Sequence, residues 1–271
     1  MGPLLTLTVH EQMRAALGAG SQTLECSLDL GCTRTCVEVR AEGWRWGEHS
    51  YPWLETCKER TIYYWDGAAF VAASRFSGSL IKLVPTEWGA PTFEIDGIKM
   101  LPTARISPYA DAERKVRLLP LRDRSILDTC GGLGYFAAWC LKLRAARVLS
   151  CEKNPDVLWL RSLNPWSPPA GGALTLLQAD IVAHIATVPS GSVDGILHDP
   201  PRFGIAGELY SQAFYDELAR VLKASGTLFH YTGAPNRLTS GRDVPAEVIR
   251  RLRRAGFRAR PEGDGVLAVK S

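Results

Sequence analysis

Four short segments in the second half of the chain carry residues whose types and spacing suit ligand binding or group transfer. Each follows an apolar run typical of a buried parallel strand. We therefore expect them to meet at the carboxyl edge of one sheet, where open α/β folds bind ligands. In chain order they are Asp128-Thr-Cys-Gly-Gly-Leu-Gly-Tyr135, Cys151-Glu-Lys-Asn-Pro155, Leu177-Gln-Ala-Asp-Ile181 and His198-Asp-Pro-Pro-Arg-Phe203.

The first segment predicts a tight strand-to-helix turn. Gly132 and Gly134 would let the backbone approach a ligand closely. The segment has no Gly-Lys-Ser/Thr sequence, which excludes a P-loop. A purely structural turn or a nicotinamide dinucleotide site remains compatible with the glycines alone.

Acidic residues end the next two predicted strands. Glu152 lies about twenty residues beyond the glycines, the usual distance for a carboxylate that accepts hydrogen bonds from ribose hydroxyls. Asp180 would accept a hydrogen bond from an adenine amino group, with Ile181 against the ring. Taken singly, each acid is equally compatible with a solvated loop residue or a helix cap.

Together, and in this order and spacing, the four segments resemble class I S-adenosylmethionine-dependent methyltransferases over roughly residues 107–271. The resemblance implies an α/β fold with a doubly wound, seven-stranded Rossmann-like sheet whose last strand is antiparallel. A spermidine-synthase type of aminopropyltransferase has a related sheet, but this turn lacks the glycine- and aspartate-rich loop of that class. S-adenosylmethionine is the implied cofactor, and its implied binding residues are Asp128, Cys130, Gly132, Gly134, Tyr135, Glu152, Lys153, Asp180 and Ile181, with Cys130 departing from the usual first glycine.

The fourth segment resembles the motif of enzymes that methylate exocyclic amines of bases. By that resemblance, the Asp199 carboxylate and the Pro200 carbonyl accept hydrogen bonds from the amine, Pro201 stiffens the turn, and Phe203 stacks on the base. Arg202 displaces the aromatic residue by one position, as in ribosomal-RNA methyltransferases that act on cytosine carbon 5 or guanine N2. Carbon methylation needs a cysteine nucleophile, and no cysteine lies in the fourth or fifth predicted strand. A rigid strand-to-loop turn without a catalytic role is the plain alternative.

The whole chain also resembles a set of archaeal and bacterial predicted methyltransferases that have been linked to cytidine N4 dimethylation in ribosomal RNA. This resemblance implies an RNA partner, with methylation of guanine N2 or of a small amine or carboxylate metabolite as alternatives. Candidate acceptor contacts are Arg202, His198, His230 and Tyr231, although a histidine in an apolar strand is more often a core residue with satisfied hydrogen bonds.

Two domains are expected, a β-rich domain at residues 1–105 and the sheet domain at residues 106–271. Alternating apolar residues and Asp-Gly turns predict short antiparallel strands in the first domain, after a helix at about Val9–Ala16. Its tryptophans, Trp44, Trp46, Trp53, Trp65 and Trp88, would either fill a thin core or stack on bases.

The remaining sequence features restrict the function only weakly. A formal charge of +4 permits an anionic partner without requiring one. One predicted helix carries four arginines that would either bind phosphates of a nucleic acid or form a solvated face: Arg250, Arg251, Arg253 and Arg254. The seven cysteines have no disulfide spacing, so we expect a cytoplasmic protein. Only Cys32 and Cys36 have the short spacing of zinc ligands, so no metal is expected. No uncharged apolar stretch approaches membrane-spanning length, so no membrane contact is expected.

Overall fold

The structure is a computed structural model that describes residues 2–233 and 243–271. The chain forms two compact units, residues 1–109 with 159–167 and residues 110–158 with 168–271. The sequence-based division differs in leaving residues 159–167 with the sheet domain. These residues join the first unit through two tryptophans. The Arg75 guanidinium lies 3.8 Å from the ring centroid of Trp159, and the Trp166 indole N–H donates to the Leu30 carbonyl at 3.0 Å.

The first unit combines one helix with three small antiparallel sheets. Helix α1 spans Leu7–Gly18. Thr6 caps its N-terminus, and the Thr6 hydroxyl accepts from the Val9 amide. The strands are β1 Leu4–Leu5, β2 Thr23–Cys26, β3 Thr35–Arg40, β4 Gly43–Trp46, β5 His49–Pro52, β6 Tyr63–Trp65, β7 Phe70–Ala72, β8 Ser74–Phe76, β9 Leu80–Val84, β10 Thr92–Ile95 and β11 Ile98–Lys99.

Tryptophan and tyrosine rings fill the core of this unit. Trp44 is 2% exposed and stacks on Tyr51, with ring centroids 4.5 Å apart. Gly43 must be glycine, since a Cβ there would lie 2.3 Å from the Tyr51 carbonyl oxygen. Trp88, in contrast, is 43% exposed. The core-filling role therefore applies to Trp44 and does not apply to every tryptophan.

A seven-stranded mixed sheet forms the centre of the second unit, in the order β14-β13-β12-β15-β16-β18-β17. The first five strands of that order are parallel, and the closing hairpin β17–β18 is antiparallel. This arrangement confirms the predicted fold class. The strands are β12 Ser125–Asp128, β13 Arg147–Glu152, β14 Leu174–Gln178, β15 Val193–His198, β16 Leu222–Tyr231, β17 Phe257–Glu262 and β18 Gly265–Lys270.

Helices follow the parallel strands, as the alternation of apolar strands and amphipathic segments predicts. Ser211 caps the sixth helix by accepting from the Phe214 amide at 3.1 Å, and Asp243 caps the seventh by accepting from the Ala246 amide. The helices are α2 Pro108–Val116, α3 Tyr135–Lys142, α4 Pro155–Leu163, α5 Ile181–His184, α6 Gln212–Val221 and α7 Val244–Arg254.

Apolar side chains of α6 and α7 pack into the same core as β15, β16 and the closing hairpin. Leu218, Leu228 and Leu252 are each 0% exposed. Burying such a side chain contributes about 1.5–3 kcal/mol, so this core fixes the carboxyl edge of the sheet on which the site lies. Among the described residues, no helix combines the length and apolarity needed to cross a membrane.

Candidate functional site

The glycine-rich turn leaves β12 in a conformation that requires glycine. Gly132 has a φ of 48° and Gly134 a φ of 81°, both in the left-handed region. Two short hydrogen bonds close the turn, from the Gly134 amide to the Gly131 carbonyl at 2.7 Å and from the Gly131 amide to the Cys151 carbonyl at 2.7 Å. The turn is thereby fixed to the end of β13, and its glycines carry no side chains that would obstruct a ligand.

Glu152 links the end of β13 to this turn. Its carboxylate accepts from the Gly132 amide at 2.9 Å and, through the other oxygen, from the Asn154 amide at 2.9 Å. These bonds hold the carboxylate beside the glycines, as the sequence spacing predicts. A carboxylate has about four acceptor positions, so the group can support the turn and still hold hydroxyl groups of a ligand.

Asp180 lies at the end of β14, where it caps α5. One oxygen accepts from the Val182 amide at 3.0 Å, and the other pairs with the Lys153 ammonium at 2.8 Å. The hydrogen bond from Lys153 lowers the pKa of Asp180. Lys153 is 70% exposed, so the pair is weak and opens easily. Ile181 is 4% exposed and packs within the core.

Asp128 and Tyr135, two further predicted cofactor residues, are more buried than Glu152 and Asp180. Asp128 is fully buried and accepts from the Ser150 hydroxyl at 2.8 Å, which places it beneath the turn. Tyr135 is buried at the start of α3. Burial raises the pKa of the Cys130 thiol well above its ordinary value, so this thiol is neutral and is no nucleophile.

The Asp-Pro-Pro-Arg-Phe loop begins directly beyond β15, the neighbour of β12. The Thr129 amide donates to the Leu197 carbonyl at 3.0 Å and joins the two strand ends. The Asp199 side chain is 22% exposed. Burial raises its pKa to about 6, against the opposing effect of Lys115. Asp199 is therefore a carboxylate that titrates near neutrality at the edge where the predicted segments meet.

Aromatic contacts hold this loop in place. The Tyr210 hydroxyl donates to the Pro201 carbonyl at 3.0 Å, and the rings of Phe203 and Tyr210 meet edge to face at 5.4 Å. Pro200 is buried and Phe203 is half-buried. Arg202 is exposed, and no ion pair joins it to a described residue.

The sequence patterns did not indicate a site role for three further charged residues. These are Asp111 and Lys115 on α2, and Asp264 in the closing hairpin. The Lys115 ammonium lies 2.7 Å from Asp111, 3.9 Å from Asp199 and 4.0 Å from Asp264, measured to carboxylate oxygens. Its side chain is 2% exposed. Burial alone would lower the pKa of Lys115, but Asp199 and Asp111 outweigh that effect and raise it. We call Asp111, Lys115, Asp199 and Asp264 the charged cluster; Arg114 pairs with both Asp111 and Asp264 at 2.8 Å.

A sequence signal for part of this cluster exists. Asp111 and Lys115 stand four residues apart on a short helix, at positions that face the core. The four-residue spacing is visible in the sequence and is typical of a helical ion pair. The burial that sets this pair apart from a solvated one is seen only in the structure. Asp264 has no comparable signal, because only the hairpin register brings it beside Lys115.

The two candidate histidines are buried beneath the loop. Both are 0% exposed, and their rings lie 4.4 Å apart. His198 donates through Nε2 to the Leu209 carbonyl at 3.1 Å and accepts at Nδ1 from Thr129 at 2.7 Å. Burial lowers the pKa of His230 to about 4. These contacts match the core interpretation of the histidines.

Tyr231 is half-buried and joins the charged cluster through its ring, whose centroid lies 4.0 Å from the Lys115 ammonium. Burial raises the pKa of its hydroxyl, so the side chain is a neutral phenol. In the described part of the chain, no group of three or more His, Cys, Asp or Glu side chains is arranged to hold a metal ion.

Comparison with known proteins finds one relative over most of the chain. The uncharacterized protein MJ1233 of Methanocaldococcus jannaschii is 42% identical over 210 residues, which cover 76% of this chain and 72% of that protein. A polyamine aminopropyltransferase of Xylella fastidiosa is 35% identical over 86 residues, or 31% of this chain and 29% of that enzyme. No protein-family model matches the chain.

Solved structures share the fold. A spermidine synthase in complex with the transition-state analogue AdoDATO has a TM-score of 0.59 at 19% identity, over 73% of each chain. A spermidine synthase from Thermotoga maritima has a TM-score of 0.55 at 19% identity, over 73% of this chain and 71% of that one. The aminopropyltransferase type of enzyme, less favoured from the turn sequence, is thus prominent among the similar proteins.

Proposed function

This chain belongs to the family of the Methanocaldococcus jannaschii protein MJ1233, and we propose that it is an S-adenosylmethionine (SAM)-dependent methyltransferase whose acceptor is an amine nitrogen. One observation carries the proposal. Asp199, a half-buried carboxylate that titrates near neutrality, lies directly beyond β15, the strand that pairs with the one leading into the glycine-rich turn. A donor bound at the turn and an amine bound at Asp199 would lie at adjoining strand ends.

The residues around the turn fit SAM. Glu152, held by the Gly132 amide, would bind the ribose hydroxyls, and the glycines leave room for the ligand beside the backbone. Asp180 would accept from the adenine amino group once Lys153 moves aside. When bound, SAM supplies a methyl group already activated on a sulfonium.

Asp199 would act on the acceptor in two ways. Its carboxylate and the Pro200 carbonyl would accept hydrogen bonds from the amine and direct the nitrogen lone pair at the methyl carbon. As the nitrogen–carbon bond forms and the carbon–sulfur bond breaks, the nitrogen must lose a proton. A carboxylate with a pKa of about 6 is suited to receive that proton at neutral pH.

An exocyclic amine of an RNA base is the first acceptor class, and cytidine N4 in ribosomal RNA is its specific form. The half-buried Phe203 ring beside the loop supports it, since a planar base stacks on an aromatic face. Guanine N2 would be held by the same groups.

A small amine is the second acceptor class, and the comparisons favour it. The similar proteins include a spermidine synthase and a polyamine aminopropyltransferase. Asp199 and Asp264 are partly exposed, Asp264 within an ion pair with Arg114, and together they would stabilise a cationic amine. The same carboxylates would repel a carboxylate acceptor, which makes that alternative the weakest.

An assay with two donors and two kinds of acceptor distinguishes an RNA methyltransferase, a small-amine methyltransferase and an aminopropyltransferase. The purified protein would be incubated with methyl-labelled SAM or with decarboxylated SAM, each against unmodified ribosomal RNA and against a panel of diamines. The products would be identified by mass spectrometry. Methylated nucleosides would support the first class, and methylated diamines the second. Aminopropylated diamines formed only from decarboxylated SAM would overturn the methyltransferase proposal.

A further inference from the structure

An arginine-lined groove lies between the beginning of α6 and the last turns of α7. It encloses about 550 Å³ and is lined by Ser211, Gln212, Arg250, Arg251 and Arg254. Arg250 and Arg254 stand four residues apart and so project from one face of α7. We call this surface the arginine groove.

The positive charge of the groove is only partly neutralised. Glu247 pairs with Arg251 and lies 3.6 Å from Arg250, whose side chain is 77% exposed. Arg254 is exposed, and no ion pair joins it to a described residue. Helix α7 carries four arginines against this single glutamate. Such a surface attracts a polyanion. An exposed guanidinium group can donate two parallel hydrogen bonds to two oxygens of one phosphate.

The groove is physically connected to the candidate acceptor loop. Arg251 donates to the Tyr210 carbonyl, and the Tyr210 hydroxyl donates to the Pro201 carbonyl. The Tyr210 ring also contacts Phe203. One residue therefore separates the arginines from the loop that begins at Asp199.

We propose that the arginine groove binds phosphodiester groups of an RNA acceptor, on the strand that presents a base to Asp199. This inference rests on the proposed function in its RNA form. Arg250 and Arg254 would contact phosphates flanking the target nucleotide. Arg251, fixed by Tyr210 and Glu247, would hold the loop in register with that surface.

The test measures RNA binding against salt concentration. A 5′-labelled single-stranded 20-nucleotide RNA would be titrated by fluorescence anisotropy with the wild type and the Arg250→Glu/Arg254→Glu variant. We expect at least tenfold weaker binding by the variant. Since each phosphate contact on a single strand contributes about 0.7 to the slope of log affinity against log salt, losing two contacts would lower the slope by about 1.4.

The matched control is Arg117→Glu/Arg122→Glu, a charge reversal at two exposed arginines in the segment that follows α2. We expect the control to bind the RNA with nearly wild-type affinity. An equal loss in the control, or unchanged binding in the groove variant, would overturn the proposal. So would a groove variant that keeps its RNA affinity but loses binding to phosphatidylserine vesicles.

Calorimetric titration with SAM separates this inference from the proposed function. The groove variant should bind SAM as the wild type does, because none of the residues that line the groove belongs to the glycine-rich turn or to the proposed SAM-binding set. Failure of the wild type to bind SAM would reject the proposed function itself. Normal SAM binding with no groove-dependent RNA binding would reject the inference alone.

Discussion

Lys115 and Asp199 set the charge of the candidate site at the scale of single residues. Burial favours the protonated form of Asp199, whereas the ammonium 3.9 Å away favours the ionised form, and the resulting pKa of Asp199 is about 6. Asp111 holds Lys115 in place at 2.7 Å. Lys115 thus controls the ionisation of Asp199, the residue to which the proposed function assigns the acceptor.

Replacing Lys115 should therefore change the pH dependence of transfer. In the wild type we expect the rate constant kcat to fall as pH decreases through about 6, where Asp199 becomes protonated. In Lys115→Met the pKa of Asp199 should rise, because the favourable charge is lost. The acid limb should then move up by about one pH unit or more. A pH profile of single-turnover transfer measures this shift.

Two further variants control that experiment. Lys115→Met removes one of the two cations of the buried Asp111, which keeps Arg114 at 2.8 Å, so Asp111→Asn/Lys115→Met serves as a companion that removes the charge of both partners. Arg117→Met changes an exposed cation directly after the same helix. An acid limb at the wild-type position in both Lys115 variants would contradict the role given to Lys115.

At the scale of elements, the turn between β12 and α3 requires glycine where its backbone is left-handed. We expect Gly132→Ala to cost about 1–2 kcal/mol of folding stability and to weaken SAM binding at least tenfold. Gly191→Ala is the matched control, since Gly191 has a φ of 59° and open space around it. Calorimetry should find unchanged SAM affinity in the control. Equal affinity losses in both variants would mean that the turn has no ligand role.

The buried histidines of β15 and β16 make stability depend on pH. The pKa of His230 is about 4 in the folded protein, below the ordinary value of 6.5, because burial penalises the charged ring. Its stabilising effect is therefore present above pH 6.5 and is lost as pH falls towards 4. The Tyr231 carbonyl, which accepts from the ring, opposes this effect and raises the pKa, but burial outweighs it.

His230→Gln should remove this dependence. Between pH 6.5 and 5, the free energy of unfolding of the wild type should fall more steeply than that of the variant, by about 1.4 kcal/mol per pH unit. Asp199 titrates in both proteins and cancels in the comparison. Urea denaturation at several pH values gives the two slopes. Equal slopes would show that His230 is protonated without cost, and His49→Gln, at an exposed position, should keep the wild-type slope.

For the molecule as a whole, the sequence predicted the sheet domain better than the site. Strand and helix alternation predicted the parallel sheet, and the resemblance to class I methyltransferases implied its antiparallel closure. The spacing predicted that Glu152 ends the strand next to the glycine-rich turn, although not its bond to the Gly132 amide. These features are local or set by the spacing of elements. Assigning residues 159–167 to the first unit was not predictable, because it depends on tryptophan contacts between distant segments.

The charged cluster was missed for the same physical reason. Asp111, Asp199 and Asp264 are far apart in sequence, and only the register of the closing hairpin and the packing of α2 bring them to Lys115. The burial of His198 and His230 likewise follows from the completed core, which a strand pattern alone does not define.

Identification of the atom that the purified protein modifies tests the central claim most directly. The wild type and Asp199→Asn would be incubated with methyl-labelled SAM and with cellular RNA and small-molecule fractions, and the labelled product would be analysed by mass spectrometry. We expect the label on an amine nitrogen with the wild type. With Asp199→Asn, transfer should fall at least a hundredfold while SAM binding persists. Label on carbon or oxygen, or undiminished transfer by Asp199→Asn, would contradict the account.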